Sequence, residues 1–203
     1  VYEMHVRDLT ISPTSGVDEA YRGTYRGAHQ TGTKNAQGDA TAFDYIKELG
    51  VNVVQLQPVT DRYKTYDEDG NVLYNWGYDV QNYSAPETSY STKPHDPKTT
   101  MRELKEMIHA YHEAGISVVM DVVYNHIYST EDGAFQTTVP DYYYRMNQNG
   151  SFQNGTGVGN ETASEHEMYR KFMIDSLTYW VTEYKIDGFR FDLMGIHDVD
   201  TIN

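Results

Sequence analysis

The sequence predicts an α/β fold of parallel βαβ units, either part of a barrel or an open sheet. Three observations carry this. Four strand-like segments alternate with three helix-like ones, beginning and ending on a strand. Connections that leave the strands are long, whereas those that leave the helices are two or three residues, which matches a fold whose site lies at the strand C-termini. One strand segment, ISVVMDVV at 116–123, is almost continuously apolar, as expected for a strand covered on both faces of a parallel sheet.

Residues 1–7 alternate apolar and polar and form the first strand. A loop rich in Gly, Thr and Ser runs to about Gly38. Asp39 then caps a helix through ATAFDYIKELG, with Ala42, Tyr45, Ile46 and Leu49 at helical spacing and Gly50 as its stop. VNVVQLQP, 51–58, is β-branched and closed by proline, a second strand. After a long loop, 59–98, Thr99 or Thr100 caps a helix to Ala114 whose apolar face holds Leu104, Met107, Ile108 and Tyr111. The third strand is 116–123, and a second long loop, 124–163, is rich in Gly, Asn and Tyr. Ser164 with Glu167 spells a capping box for a helix to about Tyr184, and KIDGFRFDLMG supplies the fourth strand. Four strands are too few to close a barrel, which takes about eight, so residues 1–203 predict an incomplete domain.

Composition excludes several classes. With 30 acidic against 16 basic residues the net charge is −14, which argues against nucleic acid, since phosphate binding needs a basic face. No apolar run approaches the roughly 20 residues that span a bilayer. The N-terminus VYEMHVRD lacks the layout of a signal peptide. Cysteine is absent, which rules out disulfides and thiolate metal sites and leaves the compartment open. The 19 tyrosines point to a polar, ring-shaped or planar ligand.

Within DGFRFDLMG, 187–195, alternation puts Arg190 and Asp192 on one face of the strand and Phe189 and Phe191 on the other. An aspartate at a strand end beside a cation stays ionised, which suits a nucleophile or electrostatic stabiliser; the same pair reads equally as a structural ion pair. Asp121 ends an apolar strand, where a carboxylate needs a partner, and Asn125 and His126 follow at the strand exit. His126 reads as a hydrogen-bonded loop histidine, since no HExxH spacing supports a metal. In YNWGYDV, 74–80, Trp76 and Tyr78 can stack on a sugar ring while Asn75 and Asp79 bind hydroxyls; the stretch could equally plug a long loop onto the domain. DEDGN, 67–71, lacks the closing glutamate of a calcium loop and fits a turn at Asp69-Gly70. GTGVGN, 155–160, has no strand before it and no helix opening on it, so it is no phosphate cradle.

YEMHVRD, YNWGYD, VVMDVVYNH, GNETASE and DGFRFDLMGIHD, in this order and spacing, resemble the type I pullulanases of the α-amylase superfamily, glycoside hydrolase family 13. Val80 stands where that family's YNWGYDP has proline. The resemblance spans the whole chain and implies the first half of a (β/α)8 TIM barrel, strands one to four. It implies a retaining hydrolase of α-1,6 branches in pullulan, amylopectin or limit dextrin. Asp192 would be the nucleophile, Arg190 would orient it and pair with Asp121, and His126 would bind a sugar hydroxyl. Tyr78 would stack beneath that sugar and Asp79 would fix the loop or its ligand, while His197 and Asp198 would lie on the leaving-group side. The family takes its general acid, a glutamate, and a third carboxylate from segments that follow the fifth and seventh strands, beyond Asn203. Residues 1–203 alone are therefore expected to bind α-glucan without cleaving it. No cofactor is implied, and calcium has no motif to support it. Other superfamily enzymes (isoamylase, neopullulanase, branching enzyme) are the nearest rival, then a non-catalytic α-glucan-binding piece, then a nucleotide-using α/β enzyme.

Overall fold

Residues that alternate along neighbouring strands explain the central sheet. The computed structural model describes residues 1–203. In chain order its elements are β1 (Tyr2–Met4), α1 (Ala42–Glu48), β2 (Val53–Leu56), β3 (Thr60–Arg62), β4 (Val80–Pro86), α2 (Pro97–Glu113), β5 (Ser117–Val122), α3 (Ala134–Thr138), α4 (Glu167–Tyr184), β6 (Gly188–Phe191) and α5 (Val199–Ile202). One sheet runs β1-β2-β5-β6 and a second pairs β3 with β4. In the first, Val54 lies opposite Tyr2 and Val118, and Leu56 opposite Met4 and Met120, all parallel. The β6 end advances along β5 in the same direction, Asp187 N–H bonding the Val118 carbonyl and Asp192 N–H the Val122 carbonyl.

The chain divides into two compact units. The first comprises Val1–Val59, Pro86–Asp121 and Val181–Arg190. Its core is one face of the sheet with two helices: Val54, Leu56, Val118 and Met120, Ile46 of α1, and Leu104, Met107 and Tyr111 of α2 all have 0% exposure. Burying each aliphatic side chain contributes roughly 1.5–3 kcal/mol. Tyr111 keeps its hydroxyl satisfied at this depth by donating to the Ala28 carbonyl at 3.1 Å, while its ring meets Phe43 edge-on at 4.9 Å. The expected α2 face is thus borne out. In β5, Ser117 and Val119 are only half-buried, so coverage on both faces holds for its last three residues and not throughout.

The second unit comprises Thr60–Ala85, Val122–Trp180 and Phe191–Asn203, and its core is aromatic. Tyr83 stacks on Tyr124 at 5.4 Å and meets Phe172 edge-on at 5.5 Å. Trp180 Nε1 donates to the Tyr83 carbonyl, the Tyr124 hydroxyl to Ser176 Oγ, and the Tyr169 hydroxyl to the Tyr124 carbonyl. Across the two units Tyr25, Tyr90, Tyr111, Tyr124, Tyr144, Tyr169 and Tyr184 are fully buried. The tyrosine-rich composition therefore builds core as well as surface; in Tyr25, Tyr111 and Tyr169 the ring fills volume while its hydroxyl donates to a backbone carbonyl.

Several local expectations are corrected. The residue preceding α1 is Thr41, not Asp39; Asp39 closes a turn with Asn35, and Thr41 gives its hydroxyl to the Ser15 carbonyl. Tyr45 and Leu49 are exposed and Phe43 takes the inward place beside Ile46. Asp96 caps α2, accepting from Lys98 N–H, with Pro97 opening the helix, so Thr99 and Thr100 lie inside it. This is the favoured order of a carboxylate cap followed by proline. Ser164 does not form a capping box: α4 begins at Glu167, and Ser164 Oγ accepts from Asp198 N–H. The segment 59–98 contains β3 and β4, and 124–163 contains α3 and antiparallel bridges Tyr144–Thr162 and Met146–Phe152. Asp67 and Gly70 (φ +82°) make the expected turn, Asp67 Oδ1 accepting from the N–H groups of Asp69 and Asn71. No helix is long and apolar enough to cross a membrane.

Candidate active-site residues

In the first unit, Asp121 is the carboxylate that ends an apolar strand. Its side chain has 0% exposure, and Arg190 Nη1 donates to both of its oxygens at 3.0 Å. Isolated burial of such a charge is costly, and the guanidinium offsets it. Arg190 itself is 44% exposed. The expected pair is present.

In the second unit, the strand exit brings Asp192 to the adjacent pair Asn125 and His126. Asp192 N–H bonds the Val122 carbonyl. Asn125, fully buried, donates from Nδ2 to the Asp192 carbonyl at 2.9 Å and to Asp192 Oδ2 at 3.2 Å. The other end of its amide, Oδ1, faces His126 Nδ1 at 2.5 Å. The aspartate is thereby fixed through main chain and side chain at once. Burial lowers the His126 pKa from its ordinary value, outweighing the carboxylates of Asp192 and Asp79 and a bond to the Tyr78 backbone that favour the charged ring. A neutral imidazole offers one donor and one acceptor, which suits a hydroxyl.

The aromatic stretch is braced from within. Asn75 Oδ1 accepts from Gly77 N–H at 2.7 Å, and Asn75 Nδ2 donates to Asp79 Oδ2 at 2.6 Å. Gly77 has φ +102°, a conformation that side-chain-bearing residues rarely adopt. The Asp79 carbonyl accepts from Tyr63 N–H, and Tyr128 N–H bonds the Val80 carbonyl, beneath a Tyr63–Tyr128 stack at 4.0 Å. Asn75 and Asp79 are thus turned toward each other, which fits the loop-fixing role of Asp79. Trp76 is 64% exposed, whereas Tyr78 is half-buried and linked to the His126 ring. The bracing is that of a loop anchored onto its unit, with Trp76 the ring that it leaves exposed.

His197 is not brought into the Asp192–Asn125–His126 chain. Its ring meets Phe191 edge-on at 6.3 Å, is 8% exposed, and neither ring nitrogen has a hydrogen-bond partner. Burial, aided by the positive charge of Arg145, pushes it down to about 4. Asp198 caps α5, accepting from Thr201 N–H and from Arg170. Asn125 is the residue that the sequence reading left without a role. A polar amide between a buried tyrosine and a histidine, just past a strand end, was the available signal.

The family model described as alpha amylase, catalytic domain, matches residues 21–161. A pullulanase of Bacillus subtilis (strain 168) is 46% identical over 202 residues, covering 100% of this chain and 28% of its own length. A crystal structure of an Anoxybacillus sp. LM18-11 pullulanase complexed with maltotetraose superposes with a TM-score of 0.93 at 52% identity, covering 99% of this chain and 29% of that one. Isoamylase 3, chloroplastic, of Oryza sativa subsp. japonica is 36% identical over 97% of this chain and 25% of its own length. The chain thus spans less than a third of each of these proteins.

Proposed function

The chain belongs to the α-amylase catalytic-domain family, and from that premise we propose that it is the nucleophile-bearing part of a retaining enzyme that hydrolyses α-1,6 branches of α-glucans, pullulan among them. The observation that carries the reading is Asp192 held at the end of β6 by Asn125, whose amide also faces His126. Similarity to pullulanases across the whole chain supports the choice of linkage.

In this reading an Asp192 oxygen attacks the anomeric carbon of the branch sugar. The bond from that carbon to the 6-oxygen breaks, its electron pair leaves with the oxygen, and a second carboxyl protonates it. Water then cleaves the glycosyl ester with overall retention. Neutral His126 binds a hydroxyl of the reacting sugar. Tyr78 lies under the ring, where its π face meets the positive charge that develops. Arg190, two residues before the nucleophile, neutralises Asp121 and orients that end of the strand. His197 is assigned to the leaving-group side through its position after the nucleophile strand. The glutamates at hand are committed elsewhere: Glu161 accepts from Arg145 and Gly155 N–H, and Glu167 and Glu183 lie on α4. The chemistry asks only for two carboxyl groups and water, and no cofactor.

The test is to supply the enzyme that carries this chain with pullulan and with linear amylose. Reducing ends are expected from pullulan and none from amylose. Cleavage of amylose would replace the debranching reading with another superfamily activity, and maltooligosaccharide binding without turnover would favour a non-catalytic binding role.

A further inference from the structure

We propose that Arg145 is a positioning residue for Asp192, clamping through the Ile196 carbonyl the turn that leads away from it; this rests on the assignment of Asp192 as nucleophile. The chain leaves β6 by an unfavourable route. Leu193 adopts φ +46° and ψ +40°, the left-handed region, and a single 3-10 turn, Met194–Ile196, follows directly. A leucine is disfavoured there because its Cβ crowds the following carbonyl oxygen. Such a conformation persists only where its surroundings over-determine it.

Two anchors bracket that turn. At its start, Asn125 holds the Asp192 carbonyl at 2.9 Å. At its end, Arg145 Nη1 donates to the Ile196 carbonyl at 2.8 Å. The rest of the guanidinium is itself fixed. Nε lies 3.0 and 3.1 Å from the two Glu165 oxygens, Nη2 is 2.8 Å from Glu165 Oε2, and Nη1 is 3.4 Å from Glu161 Oε1. These carboxylates keep Arg145 charged, raising its pKa from the ordinary value against the effect of burial.

The platform below is rigid as well. Arg145 N–H bonds the Glu161 carbonyl and its own carbonyl accepts from Gln153 N–H. Glu161, 4% exposed, accepts from Gly155 N–H at 2.5 Å. A side chain on Gly155 would place its first carbon 2.4 Å from Glu161 Oε2 and 2.7 Å from the Ile196 Cδ1 methyl. A larger residue there would have to push the ends of the Glu161 and Ile196 side chains aside. The planar fork serves carboxylates on one side and a carbonyl on the other in fixed geometry, which lysine's single ammonium can match only in part. Loosening the far anchor leaves the strained turn free to relax, and the strand end that it governs bears Asp192.

The experiment traps the covalent intermediate in the enzyme that carries this chain, using a ring-fluorinated α-maltosyl fluoride. An Asp192 oxygen bonds to the anomeric carbon as the carbon–fluorine bond breaks and fluoride leaves with the electron pair, so no general acid takes part. Mass spectrometry of the digest identifies the labelled residue. For Arg145→Gln the labelling rate at saturation is expected to fall, by up to about 100-fold, with the concentration for half-maximal rate little changed. Arg145→Lys, which retains charge and reach, is expected to fall between. Labelling of Asp192 at the wild-type rate in both variants overturns the inference, as does a loss that merely tracks the folded fraction measured by circular dichroism. Label absent from Asp192 in the unaltered enzyme overturns the nucleophile assignment itself, and this inference with it.

Discussion

Asn125 holds Asp192 at two points, donating from one amide nitrogen to its carbonyl at 2.9 Å and to its Oδ2 at 3.2 Å. Catalysis by a positioned nucleophile depends on such preorganisation, since small displacements carry large rate costs. Asn125→Ala is therefore expected to lower kcat by about 10–100-fold and to leave KM within a few-fold. Asn125→Asp should be worse above the pKa of the new carboxyl and recover on acidification, because two carboxylates then face each other. A pH–rate profile of both variants checks this. Equal profiles for Asn125→Ala and Asn125→Asp would contradict it.

The Arg190–Asp121 pair makes a separate prediction about stability. Arg190→Leu removes the ion pair of the buried Asp121 carboxylate, and should cost about 2 kcal/mol. The value sits below that of a fully buried pair because Arg190 is 44% exposed and water screens part of its charge. Asp121→Asn combined with Arg190→Leu should cost less than the sum of the two single changes. A double-mutant cycle by denaturant unfolding measures the coupling, and strict additivity would show the pair to be energetically idle.

Tyr78 is expected to matter more to rate than to fold. Its ring is half-buried, and its backbone already serves the His126 ring. Tyr78→Ala should lower kcat/KM about tenfold or more, on the scale of a ring–cation contact of about 1–2 kcal/mol, while the melting temperature moves by only a few degrees. A collapse in melting temperature with normal kinetics in the folded fraction would assign the ring to holding the loop.

His197 gives a pH dependence with a definite sign. Its folded-state pKa is about 4, below the 6.5 of the unfolded chain. Between those values the unfolded chain binds a proton that the native state refuses. Stability from this group is therefore complete above about pH 6.5 and declines as pH falls toward 4, by on the order of 3 kcal/mol at most. His197→Phe, which keeps a ring against Phe191, should shrink the melting-temperature difference between about pH 4.5 and pH 7. An unchanged difference would mean that His197 titrates normally.

The strand and helix order was legible because each element carries its own period: the α2 face of Leu104, Met107, Ile108 and Tyr111, and the apolar run of β5, are local patterns. That Asp121 needs a partner was legible too, since a carboxylate ending an apolar strand is costly alone, but only the family resemblance named Arg190 as that partner. Caps were misjudged where two candidates stood side by side. Asp96 and Thr99 compete for the start of α2, and the fixed φ of Pro97 decides for Asp96. Tyr45 and Phe43 compete for the inward face of α1, and only tertiary packing on Tyr111 chooses between them. Asn125 was legible only as a polar residue at the strand exit, without its partner, and Arg145 was not legible. Their partners, Asp192 and Ile196, lie 67 and 51 residues away, and no local pattern encodes a contact at that separation.

The central claim is that Asp192 is the nucleophile, and Asp192→Asn tests it most directly. The change preserves size and shape and removes the attacking charge. In the enzyme that carries this chain, the variant should bind maltooligosaccharides with near-normal affinity by calorimetry while its release of reducing ends from pullulan falls by several orders of magnitude. Near-normal pullulan hydrolysis by Asp192→Asn would contradict the account.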